Sequence, residues 1–314
     1  MISPDGLGRI GVLMGGYSSE REISLKSGRA VSLALKEAGC SVKDIDIQTR
    51  NEADILDMIR KSEIDVAFIA LHGCLGEDGK IQSILEKAGI PYTGSGVSAN
   101  QLAIDKILTQ ETLRQRQIPI PAYRIIPQGQ KVDFDTLLVD LKGLPVVVKP
   151  ASEGSSIGVT IVSQINDLPP ALARAFQYGQ RILVEQYIRG RELTVGILGD
   201  EALPIVEIRP KNDFFDFSAK YQHGMTEYIV PAPIPEDVAG EIQTLALAAH
   251  RSLGCKDLSR VDVMLNEQMR PFFLEINTIP GFTSTSLLPM AARCKGIPFK
   301  ELCLKLVELA YEKK

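Results

Sequence analysis

Residues 9–14, RIGVLM, are apolar almost throughout and stop at Gly15-Gly16, the pattern of a short strand running into a turn. In VSLALKEAG (31–39) the apolar positions fall at helical spacing and close on a glycine, a common helix stop. IDVAFIAL (64–71) is a second apolar run of strand length. Strand, helix and strand in alternation predict an α/β lobe with a mostly parallel sheet. Its strands run out at GGYSSERE near residue 20 and HGCLGEDG near residue 75. Ligands of such sheets collect at the carboxyl ends of the strands, so these two loops are the first places for a site.

A boundary is expected near residue 100, where IDKILTQETLRQRQ (104–117) reads as a helix. LPVVVKP (144–150) and RILVEQYI (181–188) read as strands of a small second lobe, with a helix at about 167–177 between them. The stretch from Lys211 to Pro233 is polar, aromatic and irregular. A loop of that length is either disordered or the cover of an active site. Beyond it come a helix at about 235–253, the strands SRVDVML and PFFLEIN, and a terminal helix at about 298–312. The expected division is an N-terminal α/β domain (1–100), a central lobe (101–185) and a C-terminal lobe (186–314).

The composition narrows the class. Hydrophobic residues make up 45% and charged residues 24% of the 314, which fits an ordinary globular protein and excludes a disordered one. The formal net charge of -4 gives no general attraction to nucleic acid or anionic lipid. No apolar run approaches the roughly 20 residues that span a bilayer, and the N-terminus lacks the basic-then-apolar order of a signal peptide. The expectation is a cytoplasmic protein with neither nucleic acid nor inserted membrane as partner. The cysteines at 40, 74, 255, 294 and 303 form no CxxC pair and read as free thiols; His72, His223 and His250 are too scattered to complete a zinc site with them.

The strongest chemical signal is the pair of short strands joined by the turn NEQM. Alternate strand residues share a face, so Arg260 and Asp262 point one way, as do Glu275 and Asn277 on the partner. An antiparallel hairpin brings these faces together, and its carboxylates and amide oxygen suit Mg²⁺. A solvated sheet face with a surface salt bridge would read the same way.

Lys149 ends the run VVVK and precedes PASEGSSIGV, whose Gly154, Ser155, Ser156 and Gly158 can turn backbone N–H groups toward phosphates or simply connect a hairpin. The loop is neither a Walker A motif nor a dinucleotide fingerprint. Glu185 and Glu192 flank a lobe junction, where a carboxylate could hold a ribose and the backbone of 184–187 could read an adenine edge; either could equally be a surface residue. In GGYSSEREIS, Ser18 or Ser19 can cap a helix beginning near Glu20, which is then either a first-turn acid or the anchor of a substrate ammonium. His72 at a strand end is an active-site group or a local hydrogen-bonding one, and His223 and His250 are expected to be non-catalytic. Cys74 lacks the orienting partners of a Cys–His nucleophile. After the carboxylate strand, TIPGFTSTSLLPM offers a flexible backbone at Gly281 and a cap at Ser284 or Ser286 for a helix whose free N–H groups suit a carboxylate. Phosphate, metal, carboxylate and ammonium sites together point to ATP-driven activation of a carboxylate.

These segments, from GGYSSEREISLKSG through ALHGCLGEDG, PYTGSG, VVVKPASEGSSIGV, AKY and GCKDLSRVDVM to LEINTIPGFTSTSLLPMAA, resemble the D-alanine–D-alanine ligase family of the ATP-grasp superfamily over nearly the whole chain. The resemblance implies a three-lobed ATP-grasp fold with a Rossmann-like first domain, ATP as cosubstrate, two Mg²⁺ ions (Mn²⁺ as a substitute), D-alanine as both substrates, and a homodimer. It assigns Lys106, Lys149, Ser156 and Lys220 to ATP phosphates or the covering loop, and Glu185, Gln186, Tyr187 and Glu192 to the adenosine. It assigns Asp262, Glu275 and Asn277 to the metals. Glu20, with Ser155 and Tyr221 as hydrogen-bonded partners and His72 nearby, falls to the first D-alanine. Arg260 and the Gly281 N–H fall to the oxyanion, and Ser286 and Leu287 to the second D-alanine's carboxylate. Gln186 stands where many members carry lysine, which a main-chain contact to adenine tolerates. Tyr221 agrees with the branch that uses D-alanine rather than a hydroxy acid as nucleophile.

Overall fold

Six of the seven residues of strand β1 (Arg9–Gly15) are buried, as expected of a strand covered on both faces. It is followed by helix α1 (Arg21–Glu37), β2 (Ser41–Ile47), α2 (Glu52–Lys61), β3 (Val66–Ile69) and α3 (Lys80–Ala88), and the three strands pair in parallel in the order β2-β1-β3. In this computed structural model the described residues are 4–152, 154, 157–210 and 226–313. Helix α1 starts at Arg21, next to the start expected near Glu20 and ten residues before the periodic segment 31–39. Its first half buries Ser24, Ser27 and Gly28, small and mostly polar residues that leave no hydrophobic period to read.

Helices α4 (Val97–Ile104) and α5 (Lys106–Gln115) meet at Asp105, whose carboxylate accepts hydrogen bonds from the N–H groups of Ile107 and Leu108 and so caps α5. The second sheet follows: β4 (Tyr123–Pro127), α6 (Phe134–Asp140), β5 (Val146–Pro150), β6 (Thr160–Val162), α7 (Leu168–Ala175) and β7 (Arg181–Gln186), with antiparallel order β4-β7-β5-β6. Strands β5 and β7 and helix α7 lie where the sequence put them; β4, with a proline and an arginine, and the three-residue β6 gave no strand signal.

The third sheet is built from β8 (Gly190–Leu198), β9 (Glu201–Ala202), β10 (Val206–Pro210), β11 (Thr226–Ile229), β12 (Leu258–Asn266) and β13 (Pro271–Asn277). It runs β11-β10-β8-β12-β13, with β9 on β8, and helix α8 (Glu236–Ser252) packs against it. The stretch expected to be irregular as far as Pro233 therefore includes strand β11, antiparallel to β10. Residues 211–225 lie outside the described residues.

The last two helices, α9 (Leu287–Cys294) and α10 (Phe299–Glu312), return to the first sheet. Leu288, Ala291, Leu302, Leu306 and Val307 share one core with Ile10, Val12, Val31 and Leu35. Lys313 seals the return: its ammonium donates to the Tyr92 carbonyl at 2.7 Å, the Gly94 carbonyl at 2.6 Å and Asp257 at 2.6 Å. The segment between β13 and α9, residues 278–286, is thus held between the first and third sheets. None of the five cysteines forms a disulfide.

His250 sits inside the third lobe, 3% exposed, with Nδ1 2.7 Å from Ser259 Oγ. Burial pushes its pKa down to about 4 from the ordinary 6.5; Asp200 opposes the shift, and Arg251 and Lys256 reinforce it. Between those values the unfolded chain binds a proton that the folded chain refuses, so acid favours unfolding. Stability should therefore fall by about 3 kcal/mol as pH drops from about 6.5 to about 4. Denaturant titrations at several pH values should show this slope, and His250→Gln should flatten it.

Candidate active site

The hairpin of β12 and β13 pairs in the register that the alternation implies, with Arg260 opposite Asn277 and Asp262 opposite Glu275. The register shifts between Asp262 and Val263, a bulge immediately after the acid. Asp262 is the hub. It accepts from Arg260 Nε at 2.9 Å and Nη2 at 2.8 Å, from Asn277 Nδ2 at 3.2 Å, and from Thr194 Oγ1 on the neighbouring β8 at 2.7 Å. Glu275 lies 3.1 Å from Lys106 Nζ, at the first residue of α5.

Two clefts meet at this pair, since Lys106 and Glu275 line both. One, of about 510 Å³, lies between the second and third sheets and is walled by Val147, Lys149, Glu185, Tyr187, Glu192 and Met264, among others. Lys149 and Glu185 face each other at 2.7 Å, 6% and 2% exposed. The Glu185 carboxylate is therefore engaged by lysine, while Glu192 stands further along the wall on β8. The Gln186 N–H donates to the Ala122 carbonyl at 2.8 Å, extending the sheet by one bond to the cleft edge. At the outer end Glu207 holds Arg191 bidentately at 2.7 and 2.8 Å and Arg209 at 2.9 Å. Burial alone would raise the Glu207 carboxyl; the bonds from the two arginines outweigh it and hold the group below its usual range.

The second cleft, of about 450 Å³, lies over the carboxyl ends of β1 and β3, as the topology of the first sheet implies. Glu20, Gly73, Cys74, Asp78, Gly154 and Asn277 are among its walls. Gly73 has φ +65°, a conformation that favours glycine, and a Cβ there would lie 2.8 Å from Glu20 Oε2 and push the carboxylate aside. Ser18 accepts from the Glu20 N–H at 3.2 Å and donates to the His72 carbonyl at 2.8 Å. The N-cap position of α1 is Glu20 itself, with no side-chain cap bond, so neither Ser18 nor Ser19 caps the helix in the expected way; Ser18 instead turns the chain ahead of it.

His72 is not among the walls of either cleft, though its Nδ1 lies 3.7 Å from Glu77 Oε1, which walls the second. It is 5% exposed, and its ring nitrogens meet Ser27 Oγ at 3.1 Å and the Ile279 carbonyl at 3.0 Å. Gly281 and Ser286 lie together, a Cβ on Gly281 falling 3.5 Å from Ser286 Oγ. Ser286 occupies the N-cap position of α9 without bonding the helix, because its hydroxyl accepts from the Thr283 N–H at 3.0 Å. Leu287, the first residue of α9, packs toward Ile208 and Tyr228. Cys74 Sγ lies 3.4 Å from Asp78 Oδ2. Ser155, Ser156, Lys220, Tyr221 and His223 lie outside the described residues.

Among the described residues no group of three His, Cys, Asp or Glu side chains converges. Asp262, Glu275 and Asn277 offer two carboxylates and an amide oxygen, a set that a hard divalent cation completes with phosphate oxygens and water. Each candidate acid carries a cationic partner: Arg260 on Asp262, Lys106 on Glu275, Lys149 on Glu185. Sequence reasoning missed Thr194, Ser27 and the Thr278–Asn100 bond of 2.6 Å. All are single polar residues on otherwise buried faces, with no spacing rule to expose them.

Comparison with known proteins gives a consistent picture. Residues 112–308 match the family described as "D-ala D-ala ligase C-terminus", and residues 47–95 match "D-ala D-ala ligase N-terminus". A D-alanine–D-alanine ligase of Geotalea uraniireducens is 47% identical over 303 residues, covering 96% of this chain and 95% of its own. One of Trichlorobacter lovleyi is 48% identical over 295 residues, covering 94% and 92%. The crystal structure of the Bacillus anthracis D-alanine–D-alanine ligase complexed with ATP superposes with a TM-score of 0.85 at 32% identity over 98% of each chain.

Proposed function

Because the chain belongs to the D-alanine–D-alanine ligase family and has its three-lobed ATP-grasp fold, we propose that the two clefts meeting at Lys106 and Glu275 are the nucleotide and amino-acid halves of one active site. The protein is an ATP-dependent ligase that joins two molecules of D-alanine into D-alanyl-D-alanine, the dipeptide of peptidoglycan precursors. The observation that carries the site assignment is the shared wall, where a lysine and a carboxylate stand between the two spaces.

In this reading ATP lies between the second and third sheets, with adenine against the backbone of 184–187, beside Gln186 and Tyr187, and ribose toward Glu192. Lys106 and Lys149 hold phosphate oxygens, with Ser156 and Lys220 supplying further contacts. Asp262, Glu275 and Asn277 would hold two Mg²⁺ ions, for which Mn²⁺ could substitute. Bound there, the metals would offset charge on the transferred phosphoryl group. The Lys106–Glu275 pair supports the arrangement, because Mg-ATP brings opposite charges for both of its members: the lysine can pass to phosphate as the acid takes up metal.

The first D-alanine is anchored through its ammonium at Glu20, backed by Ser155 and Tyr221. Its carboxylate oxygen attacks the γ-phosphorus and ADP leaves. The neutral amine of the second D-alanine, its own carboxylate held at Ser286 and Leu287, attacks the acyl phosphate carbon. Arg260 and the Gly281 N–H offset the oxyanion, the C–O bond to phosphate breaks and the amide remains. Functionally, residues 1–100 supply the ammonium anchor, 101–185 the phosphate loop, and 186–314 the metal, oxyanion and second-substrate groups. We further propose a homodimer acting in the cytoplasm; no helix among the described residues is long and apolar enough to cross a membrane.

The test is product analysis by mass after incubation with Mg-ATP and equimolar D-alanine, L-alanine, D-lactate and D-serine. D-alanyl-D-alanine should dominate and vanish without ATP. An ester of D-lactate or a D-serine dipeptide as main product would overturn the substrate assignment.

A further inference from the structure

The turn 279–282 that carries Gly281 is clasped at both ends by one buried pair, Ser27 and His72. The Phe282 N–H donates to Ser27 Oγ at 3.2 Å, Ser27 Oγ lies 3.1 Å from His72 Nε2, and His72 Nδ1 lies 3.0 Å from the Ile279 carbonyl. The side chains are 1% and 5% exposed. The Ile279 carbonyl only accepts, so Nδ1 donates to it, and Glu77 Oε1 lies 3.7 Å from the same nitrogen. In the tautomer with only Nδ1 protonated, Nε2 accepts the Ser27 O–H, and the Ser27 oxygen takes the Phe282 N–H.

The clasp also joins the two halves of the amino-acid site. Ser27 stands on α1, two turns beyond Glu20. The His72 carbonyl accepts from Ser18, whose oxygen accepts from the Glu20 N–H. Phe282 is fixed between Phe68 and Phe299, with ring centroids 5.5 Å from each. The ammonium anchor and the 279–282 turn thus belong to one hydrogen-bonded frame, and Ser27 spans it.

We propose that Ser27 is a positioning residue for the ligation step: with His72 it fixes the 279–282 turn so that the Gly281 N–H faces the oxyanion in register with the substrate held at Glu20. This rests on the roles given above to Glu20 and Gly281. Phosphoryl transfer also needs the first D-alanine at Glu20, but negative charge builds on its carbonyl oxygen during amine attack, so the clasp bears most on that second step. When the oxyanion donor is displaced, the acyl phosphate lasts longer and water takes the amine's place, releasing phosphate and regenerating D-alanine.

The experiment is the ratio of ADP to D-alanyl-D-alanine formed by the full-length enzyme with Mg-ATP and saturating D-alanine. Wild type should give a ratio of one. Ser27→Ala should form dipeptide about 10- to 100-fold more slowly, less than the full loss of an oxyanion donor, with the ratio above one and KM for ATP unchanged. His72→Asn keeps an N–H toward Ile279 but loses Ser27, and should uncouple in the same way. The double variant should be no worse than the worse single one, the signature of one shared unit. If Ser27→Ala fails to fold, Ser27→Cys, of similar shape but weak in hydrogen bonding, is read by the same ratio. A ratio of one in these variants, whatever their rate, overturns the inference: a merely structural loss lowers ADP and dipeptide together. If wild type makes no dipeptide, the failure lies in the functional reading instead.

Discussion

Asp262→Asn should lower dipeptide formation by at least about 10³-fold while the protein stays folded. Loss of a group that only orients a metal ligand costs 10- to 100-fold, so removing the charge of a ligand itself should cost more. The substitution keeps the side chain's shape and its place between Thr194 and Arg260. What changes is charge: the cleft loses half of its carboxylate pair with Glu275, and the Arg260 fork loses its bidentate acceptor. Arg260 retains 19% of its side-chain exposure, so water can serve the guanidinium and stability should change little. Steady-state kinetics over a range of Mg²⁺ concentrations, with thermal melting alongside, checks both halves. Activity within tenfold of wild type would remove Asp262 from the metal site.

Lys149→Met should act the other way, through stability as well as binding. Lys149 and Glu185 are 6% and 2% exposed and 2.7 Å apart, so methionine strands a carboxylate away from water. The remaining donor, Gln110 Nε2 at 3.5 Å, is a weak substitute. Breaking a buried pair from one side costs about 3–5 kcal/mol, whereas replacing both members with apolar groups is often neutral. Lys149→Met should therefore melt well below wild type, and Lys149→Met/Glu185→Leu should recover most of the loss. The double variant should still fail to bind ATP, because the cationic contact to phosphate is gone. Recovery of ATP binding along with stability would mean that the pair only supports the fold.

The hairpin was legible because two rules act on it at once. Strand alternation put Arg260, Asp262, Glu275 and Asn277 on one face, and a tight antiparallel turn fixed them opposite one another. The first sheet was legible for a similar reason: apolar runs of strand length alternate with a helix period, which admits few topologies. What stayed hidden depends on long separations or on small polar residues. Nothing local ties Lys106 to Glu275, or brings α10 back to the sheet that opens the chain. Ser24 and Ser27 line the buried face of α1, where a hydrophobic period would have marked a helix. His72 at a strand end read as either an active-site group or a local hydrogen-bonding one, and which partners its ring would meet, Ser27 and the Ile279 carbonyl, depended on distant segments. Strand β11 sits in a polar stretch and exists through its pairing with β10.

The central claim is that ATP activates the carboxylate of one D-alanine for attack by the amine of another, and the fate of the carboxylate oxygen tests it most directly. D-alanine carrying ¹⁸O in both carboxylate positions should be incubated with Mg-ATP, and phosphate and dipeptide analysed by mass. The account predicts one ¹⁸O in each phosphate released and three in each D-alanyl-D-alanine, one in the amide carbonyl and two in the free carboxylate. Unlabelled phosphate, with or without dipeptide, would mean that no carboxylate oxygen ever bonded to the γ-phosphorus, and would contradict the account at its root.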